Sequence, residues 1–180
     1  MNIFIALLRG INVSGKNKIK MVELKQLFSD IGFSEITTYI QSGNVIFSSE
    51  ELNTSKLENK LVTEIRNKFG HSIKVLVLKK KELETAFKSN PFINKTDFDF
   101  KKTCATFLDK IPTEEGIETV KLLAAKDELL IFKNKTIYLY CPNGFGRTKL
   151  SKNNIENKLK VSATSRNWNT VTKLVELSKQ

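Results

Sequence analysis

The sequence is poor in the residues that carry metal and redox chemistry. Among 180 residues it holds two cysteines, Cys104 and Cys141, and one histidine, His71. That set cannot build an ordinary Cys/His zinc site, so no metal and no cofactor is expected. Both cysteines lie inside apolar, strand-like runs, where a thiol packs as a small hydrophobe and is not an exposed nucleophile. Proton transfer near neutrality usually calls on His or a tuned carboxylate. His71 follows Gly70 in a turn and has no evident acidic partner in sequence. Asp97 and Asp99 alternate and would suit either Mg²⁺ or a solvated turn. No Ser-Gly elbow occurs, so the reading leans away from an enzyme. No apolar run approaches the roughly 20 residues that span a bilayer. The opening "MNIFIALLRG" also lacks the basic region of a secretory signal. A cytoplasmic protein with no membrane partner is therefore expected.

Arginine is scarce as well. Of 30 basic residues only four are arginine, against 19 acidic residues, for a net charge of +11. Residues 1–90 carry 14 basic and 9 acidic groups and residues 91–180 carry 16 and 10, so the excess is spread along the chain. A lysine excess of this kind is either a solvated surface or a surface for a polyanion. The last forty residues are the most biased stretch, with eight basic groups against Glu156 and Glu176.

The pattern of apolar residues defines two similar halves. The run Ile3 to Leu8 is apolar on both faces and suits a central strand. Met21, Leu24, Phe28 and Ile31 then recur at helical spacing, with Gly32 as the stop. "ITTYIQ" and "NVIFSS" read as strands joined by a tight Ser42-Gly43 turn. A longer helix follows, with Ser55 and Glu58 matching a capping box, Leu57, Leu61, Ile65 and Phe69 as its apolar stripe, and Gly70 as its end. "SIKVLVL" is the fourth strand. Residues 80–102 hold a short helix around Leu83 and Phe87 and then a linker with Asn90-Pro91.

The order then returns. "CATFLD" is a strand, Thr113 caps a helix of about a dozen residues, and "ELLIF" and "TIYLYC" form a hairpin around Asn134-Lys135. A helix over 151–159 and the strand "VSATS" follow, then a last helix capped by Asn169 or Thr170. The expected fold is α+β, with tandem ferredoxin-like (βαββαβ) units. These are two small α/β subdomains packed together, over 1–79 and 103–180, joined by the linker over 80–102.

The segment "RGINVSGKNKIKM" comes within one residue of a nucleotide-binding loop. Gly10, Gly15 and Lys16 match, but Asn17 stands where a metal-binding Ser or Thr is required, and the helical pattern begins only at Met21. A nucleotide triphosphatase is therefore disfavoured. The glycines either free backbone donors for an anion, aided by Arg9 and Lys16, or simply allow positive φ in a surface connection.

Four segments, "IALLRGINVSGKNKIKM", "TYIQSGNVIF", "CPNGFGRTKL" and "TSRNWNTVTKL", resemble the recurring blocks of the bacterial family numbered 1697 among domains of unknown function (DUF1697). The resemblance runs from Ile3 to about Leu177 and implies a two-part α/β protein of ferredoxin-like topology. It implies no activity. Three of the four arginines, Arg9, Arg147 and Arg166, fall within these blocks. Arginine suits phosphate or carboxylate, or an internal lock between elements. Candidate ligand-binding residues are Arg9, Gly10, Asn12, Gly15 and Lys16 in the first loop, and Arg147, Lys149, Arg166, Asn167 and Trp168 in the later blocks. Trp168 suits base stacking or a packing anchor, and Asn12, Gln41, Asn44 and Asn167 either read a ligand edge or satisfy turn backbone.

The function expected first is non-catalytic binding of a phosphate-bearing partner, with nucleic acid ahead of a small nucleotide. A small-molecule enzyme or sensor with a cleft between the halves is the alternative. A structural or interaction module, including a homo-oligomer, stays open.

Overall fold

The computed structural model describes residues 1–93 and 99–179. Asp97 lies outside the described residues. Asp99 is in a solvated turn, its Oδ1 accepting from Lys101 N at 2.9 Å. The chain divides into two compact units, one formed by Met1–Thr85 with the segment from Lys173 onward, the other by Ala86–Thr172.

In the first unit the order is β1 (Asn2–Leu8), α1 (Met21–Asp30), β2 (Ser34–Tyr39), β3 (Asn44–Ser49), α2 (Thr54–Phe69) and β4 (Val75–Lys79). Helix α3 (Lys80–Lys88) follows β4 directly. The sheet order is β2-β3-β1-β4, with every neighbouring pair antiparallel. As its two-sided apolar pattern requires, β1 is central and buried from Phe4 to Leu8. Phe4, Phe28, Phe33 and Phe47 form one aromatic cluster beneath the helices, with centroid separations between 4.5 and 5.7 Å. Burying such a side chain contributes about 1.5–3 kcal/mol, so this group is a large share of the unit's core.

The second unit repeats that plan with β5 (Thr103–Leu108), α4 (Glu114–Lys121), β6 (Leu129–Lys133), β7 (Thr136–Tyr140), α5 (Lys152–Leu159) and β8 (Ala163–Asn167). Its sheet order is β6-β7-β5-β8, again antiparallel throughout. The chain is thus α+β, with two four-stranded antiparallel sheets, each flanked by helices. Helix α6 (Trp168–Leu177) continues from β8. Both cysteines are buried, and desolvation pushes Cys104 up to about 12 and Cys141 up to about 11.

Several local expectations are corrected. Helix α2 is capped by Asn53, whose Oδ1 accepts from Lys56 N, and not by Ser55. Glu58 serves a tertiary partner, its Oε1 accepting from Val77 N at 2.8 Å. The connection between β2 and β3 is four residues long, Ile40 to Gly43, and not a tight two-residue turn. A Cβ on Gly43 would lie 2.7 Å from both Ile11 Cδ1 and Leu8 Cβ, so that glycine is fixed by packing as well as by its φ of 76°. Helix α4 is shorter than expected, ending at Lys121, although Thr113 does cap it. At α6 the capping oxygen belongs to Asn167, which accepts from Thr170 N at 2.8 Å, in place of Asn169 or Thr170.

Candidate functional site

The first group of candidate residues lies on the connection from β1 to α1. Backbone bonds from Asn12 N to Asn17 O (3.2 Å) and from Lys16 N to Val13 O (2.9 Å) fold residues 12–17 into a small two-stranded finger. Its tip turns through Ser14 and Gly15 at φ 49° and 76°. Asn12, itself left-handed at φ 54°, clamps the base. Its Nδ2 donates to Ile19 O and Gln41 O, and its Oδ1 accepts from Ile19 N, all at 2.9 Å. Asn17 closes the other side by donating to Gly10 O at 3.0 Å. Left-handed backbone is tolerated best by Gly and Asn, which accounts for the glycine and asparagine content of this segment.

The finger therefore docks on the β2–β3 connection, and two of the segments singled out in the sequence meet in space. Asn44 also serves the turn there, donating to Tyr39 O and Ser42 Oγ at 3.0 Å. Lys16 stands exposed on the finger, Lys18 stands exposed just beyond it, and Arg9 is half-buried at its root. Lys20 pairs with Glu23 at 3.2 Å. No acidic residue occurs between Arg9 and Lys20. The asparagines hold the scaffold, and the lysines are what the finger presents.

The second group lies at one end of the other sheet. Thr103 faces Tyr140 and Cys104 faces Asn167 in the strand registers. The segment that leaves β7 and the end of β8 therefore share the edge where β5 begins. Cys141 N donates to Lys102 O there at 2.9 Å, so Lys101 and Lys102, which periodicity gave no reason to select, belong to the same end. Arg147 and Lys149 are exposed on the loop that leads into α5. That loop is braced by Asn143 Nδ2 to Asp127 Oδ2 (2.6 Å) and by Asn154 Nδ2 to Lys149 O (2.8 Å).

Arg166, half-buried, and Trp168, buried, are in contrast engaged within their own unit. The Arg166 guanidinium donates through Nη1 to Ser165 O at 2.9 Å, and burial pulls its pKa down to about 10. Trp168 is 3% exposed, stacked at 5.4 Å and 7° on Phe87, with Tyr138 at 6.4 Å. Within its unit it is a packing anchor, with no free ring face for a base.

The two units elaborate different connections. In the first the long loop follows β1; in the second it follows β7, the counterpart of β3. Because β1 and β3 run antiparallel, the two loops mark opposite ends of their respective sheets. A groove of about 740 Å³ in the first unit, walled by α1, β2 and Leu177-Ser178, contains none of the candidate residues. Among the described residues no group of three His, Cys, Asp or Glu side chains is placed to hold a metal ion, and no helix is long and apolar enough to cross a membrane.

These observations define a two-unit α+β protein with braced basic loops. The model of the family described as "Protein of unknown function (DUF1697)" matches residues 1–138, and the chain belongs to that family. It is also similar to a solved structure, that of the conserved bacterial protein SP0830 from Streptococcus pneumoniae. The two share 26% identity with a TM-score of 0.78 over 98% of each chain. No protein with a curated description matches.

Proposed function

We propose that the protein binds a phosphate-bearing polymer, nucleic acid ahead of a free nucleotide, through backbone phosphates and without reading bases. The observation that carries this is the finger over residues 12–17. It is braced from within by Asn12 and Asn17, presents Lys16, is followed at once by exposed Lys18, and has no acidic residue along it. Bracing matters because a lysine on a pre-ordered scaffold loses less conformational entropy on contact. Phosphate contacts by lysine position a protein on a nucleic acid without carrying sequence information. The internal engagement of the asparagines and the burial of Trp168 support the same limit, since base-edge bonding and base stacking both need free groups. The strand order of each unit supports reading both as ferredoxin-like, a plan compatible with this role but not diagnostic of it. Cytoplasmic location fits the proposal.

The test is fluorescence anisotropy with labelled single- and double-stranded RNA and DNA over a salt series, with ATP as the small-ligand arm. The expected result is binding to the polymers with a steep negative salt slope and little preference for sequence. K16A/K18A should lower that slope by about 0.7–0.9 per lysine. Absence of polymer binding at low salt would remove the proposal, and tighter binding of ATP than of the polymers would transfer the site to a small ligand.

A further inference from the structure

Four strands form the outer edges of the two sheets: β2, β4, β6 and β8. An open edge exposes unpaired N–H and C=O groups and is a template for another strand unless it is blunted. The ladder bonds decide which groups point outward. Arg9 N donates to Lys74 O, so along β4 residues 74, 76 and 78 face β1 and residues 75, 77 and 79 face out. The outward amides of Val77 and Lys79 are taken by Glu58 and Glu82, each at 2.8 Å.

Along β8 the bond from Asp109 N to Ser162 O turns residues 163 and 165 outward. The Ala163 amide is taken by Glu156 at 2.8 Å and the Ser165 carbonyl by Arg166 at 2.9 Å. Edge β2 is broken by a register shift between Ser34 and Thr37, with Glu35 at φ 50° and its carboxylate turned back to Ser48.

Strand β6 differs. It pairs with β7 in unbroken register from Leu129 to Lys133. Leu108 N donates to Lys135 O and Cys141 N to Lys102 O, so the odd residues of β7 face β5 and Thr136, Tyr138 and Tyr140 face β6. Their partners Lys133, Ile131 and Leu129 thus point inward, and the backbone groups of Leu130 and Phe132 point out. No hydrogen bond among the described residues engages those outward groups. The strand, "LLIFK", is apolar except at its last residue, as is β4, whose outward amides are taken.

We infer that β6 pairs antiparallel with β6 of a second copy of this chain, with Ile131 on the twofold axis. A twofold perpendicular to the sheet keeps like faces together, so only registers centred on a residue are allowed. Centring on Ile131 sets Leu130 of one copy opposite Phe132 of the other, and these are the residues with outward donors and acceptors. Each such pair then exchanges both N–H···O bonds. Continued past the strand ends, the same register sets Asp127 of one copy opposite Lys135 of the other, beside the bonds that Asp127 accepts from Asn143 and Lys135 donates to Asp109 O. That charge match favours a second copy over an unrelated strand, because the net charge of +11 otherwise opposes self-association. Ile131 meets its own counterpart in a non-hydrogen-bonded pair, where Cα atoms lie about 4.5 Å apart.

Light scattering and sedimentation of the full chain are expected to give twice the 20.5 kDa monomer mass at micromolar concentration. Ile131→Lys sets like charges opposite each other across the axis and should give a monomer with an unchanged circular dichroism spectrum. Should that variant fail to fold, Ile131→Cys decides by gain of signal. The axial pair lies within disulfide range, and Cys104 and Cys141 are buried, so mild oxidation should give a covalent dimer on non-reducing gels. Lys133→Cys alone should not cross-link, whereas an equimolar mixture of Leu129→Cys and Lys133→Cys chains should. A monomeric native chain overturns the proposal. So does a dimer that survives Ile131→Lys, or one that Ile131→Cys does not trap.

Discussion

Replacing Asn12 tests whether the finger is a rigid scaffold. In Asn12→Ala three hydrogen bonds of 2.9 Å disappear, and a residue at φ 54° loses its tolerance for left-handed backbone. Each lost bond at a half-buried site costs about 0.5–1 kcal/mol net, or roughly 1.5–3 kcal/mol together. The left-handed conformation adds about 1 kcal/mol for alanine and almost nothing for glycine. Asn12→Ala should therefore weaken the finger by about 2.5–4 kcal/mol, and Asn12→Gly by about 1 kcal/mol less. The assay must be local, because Trp168, the single tryptophan, reports on the other unit. Amide hydrogen exchange at Ile19 serves, since its N–H is held by Asn12 Oδ1. Exchange there should quicken by at least about tenfold in Asn12→Gly and further in Asn12→Ala. Unchanged protection in both variants would refute the clamp, and equal effects would refute the part assigned to backbone conformation.

Gly43→Ala should destabilise the first unit by about 2–4 kcal/mol in urea titration, from overpacking plus left-handed strain. Gly15→Ala, whose Cβ meets nothing within 4 Å, should lose only about 1 kcal/mol, and parity between the two would contradict the packing argument. Alkaline stability provides a third check. Burial raises Cys104 and Cys141 to about 12 and 11 from the ordinary thiol value of 9.0, so above pH 9 the unfolded chain releases protons that the folded one keeps. Stability should fall from pH 9 toward 11, approaching about 1.4 kcal/mol per pH unit for each thiol. C104A/C141A should flatten that fall, and an unchanged slope would remove the thiols as its source. Finally, Trp168 emission should be blue-shifted and resist acrylamide, with or without nucleic acid. Quenching on binding by the folded protein would show that the indole is reachable.

The elements were legible wherever local pattern and tertiary demand agree. The two-sided apolar run of β1, the Gly70 stop of α2 and the turn at Asn134-Lys135 all follow from nearest neighbours. Several of the misses have one physical cause, a partner far away in sequence. Ser55 and Glu58 have the spacing of a capping box, yet Glu58 is claimed by an amide nineteen residues on, at Val77. Gly43 reads as the second residue of a tight turn, but Leu8 and Ile11 fix it. In the candidate site, the glycines and lysines of the finger stood out by type. Asn12 did not reveal that it holds Ile19 and Gln41, because its bonds span seven and 29 positions. Arg166 is a local case: it looked available, but its guanidinium turns back to the carbonyl of the preceding residue, Ser165.

The division of the chain also shapes how the protein is made. The first unit is left at Thr85 and resumed at Lys173. A ribosome therefore releases the whole second unit before the first can be completed. Domains commonly fold from the N-terminus as they emerge; here the sheet and core of the first unit lie wholly within residues 2–79, so only the seating of its last segment waits. Closing so long a separation adds little to the equilibrium penalty, which grows only with the logarithm of length, but it slows the final step. The resulting order of maturation, closing segment last, would be visible as arrested nascent chains in which residues 1–85 resist protease before the segment from Lys173 onward is in place.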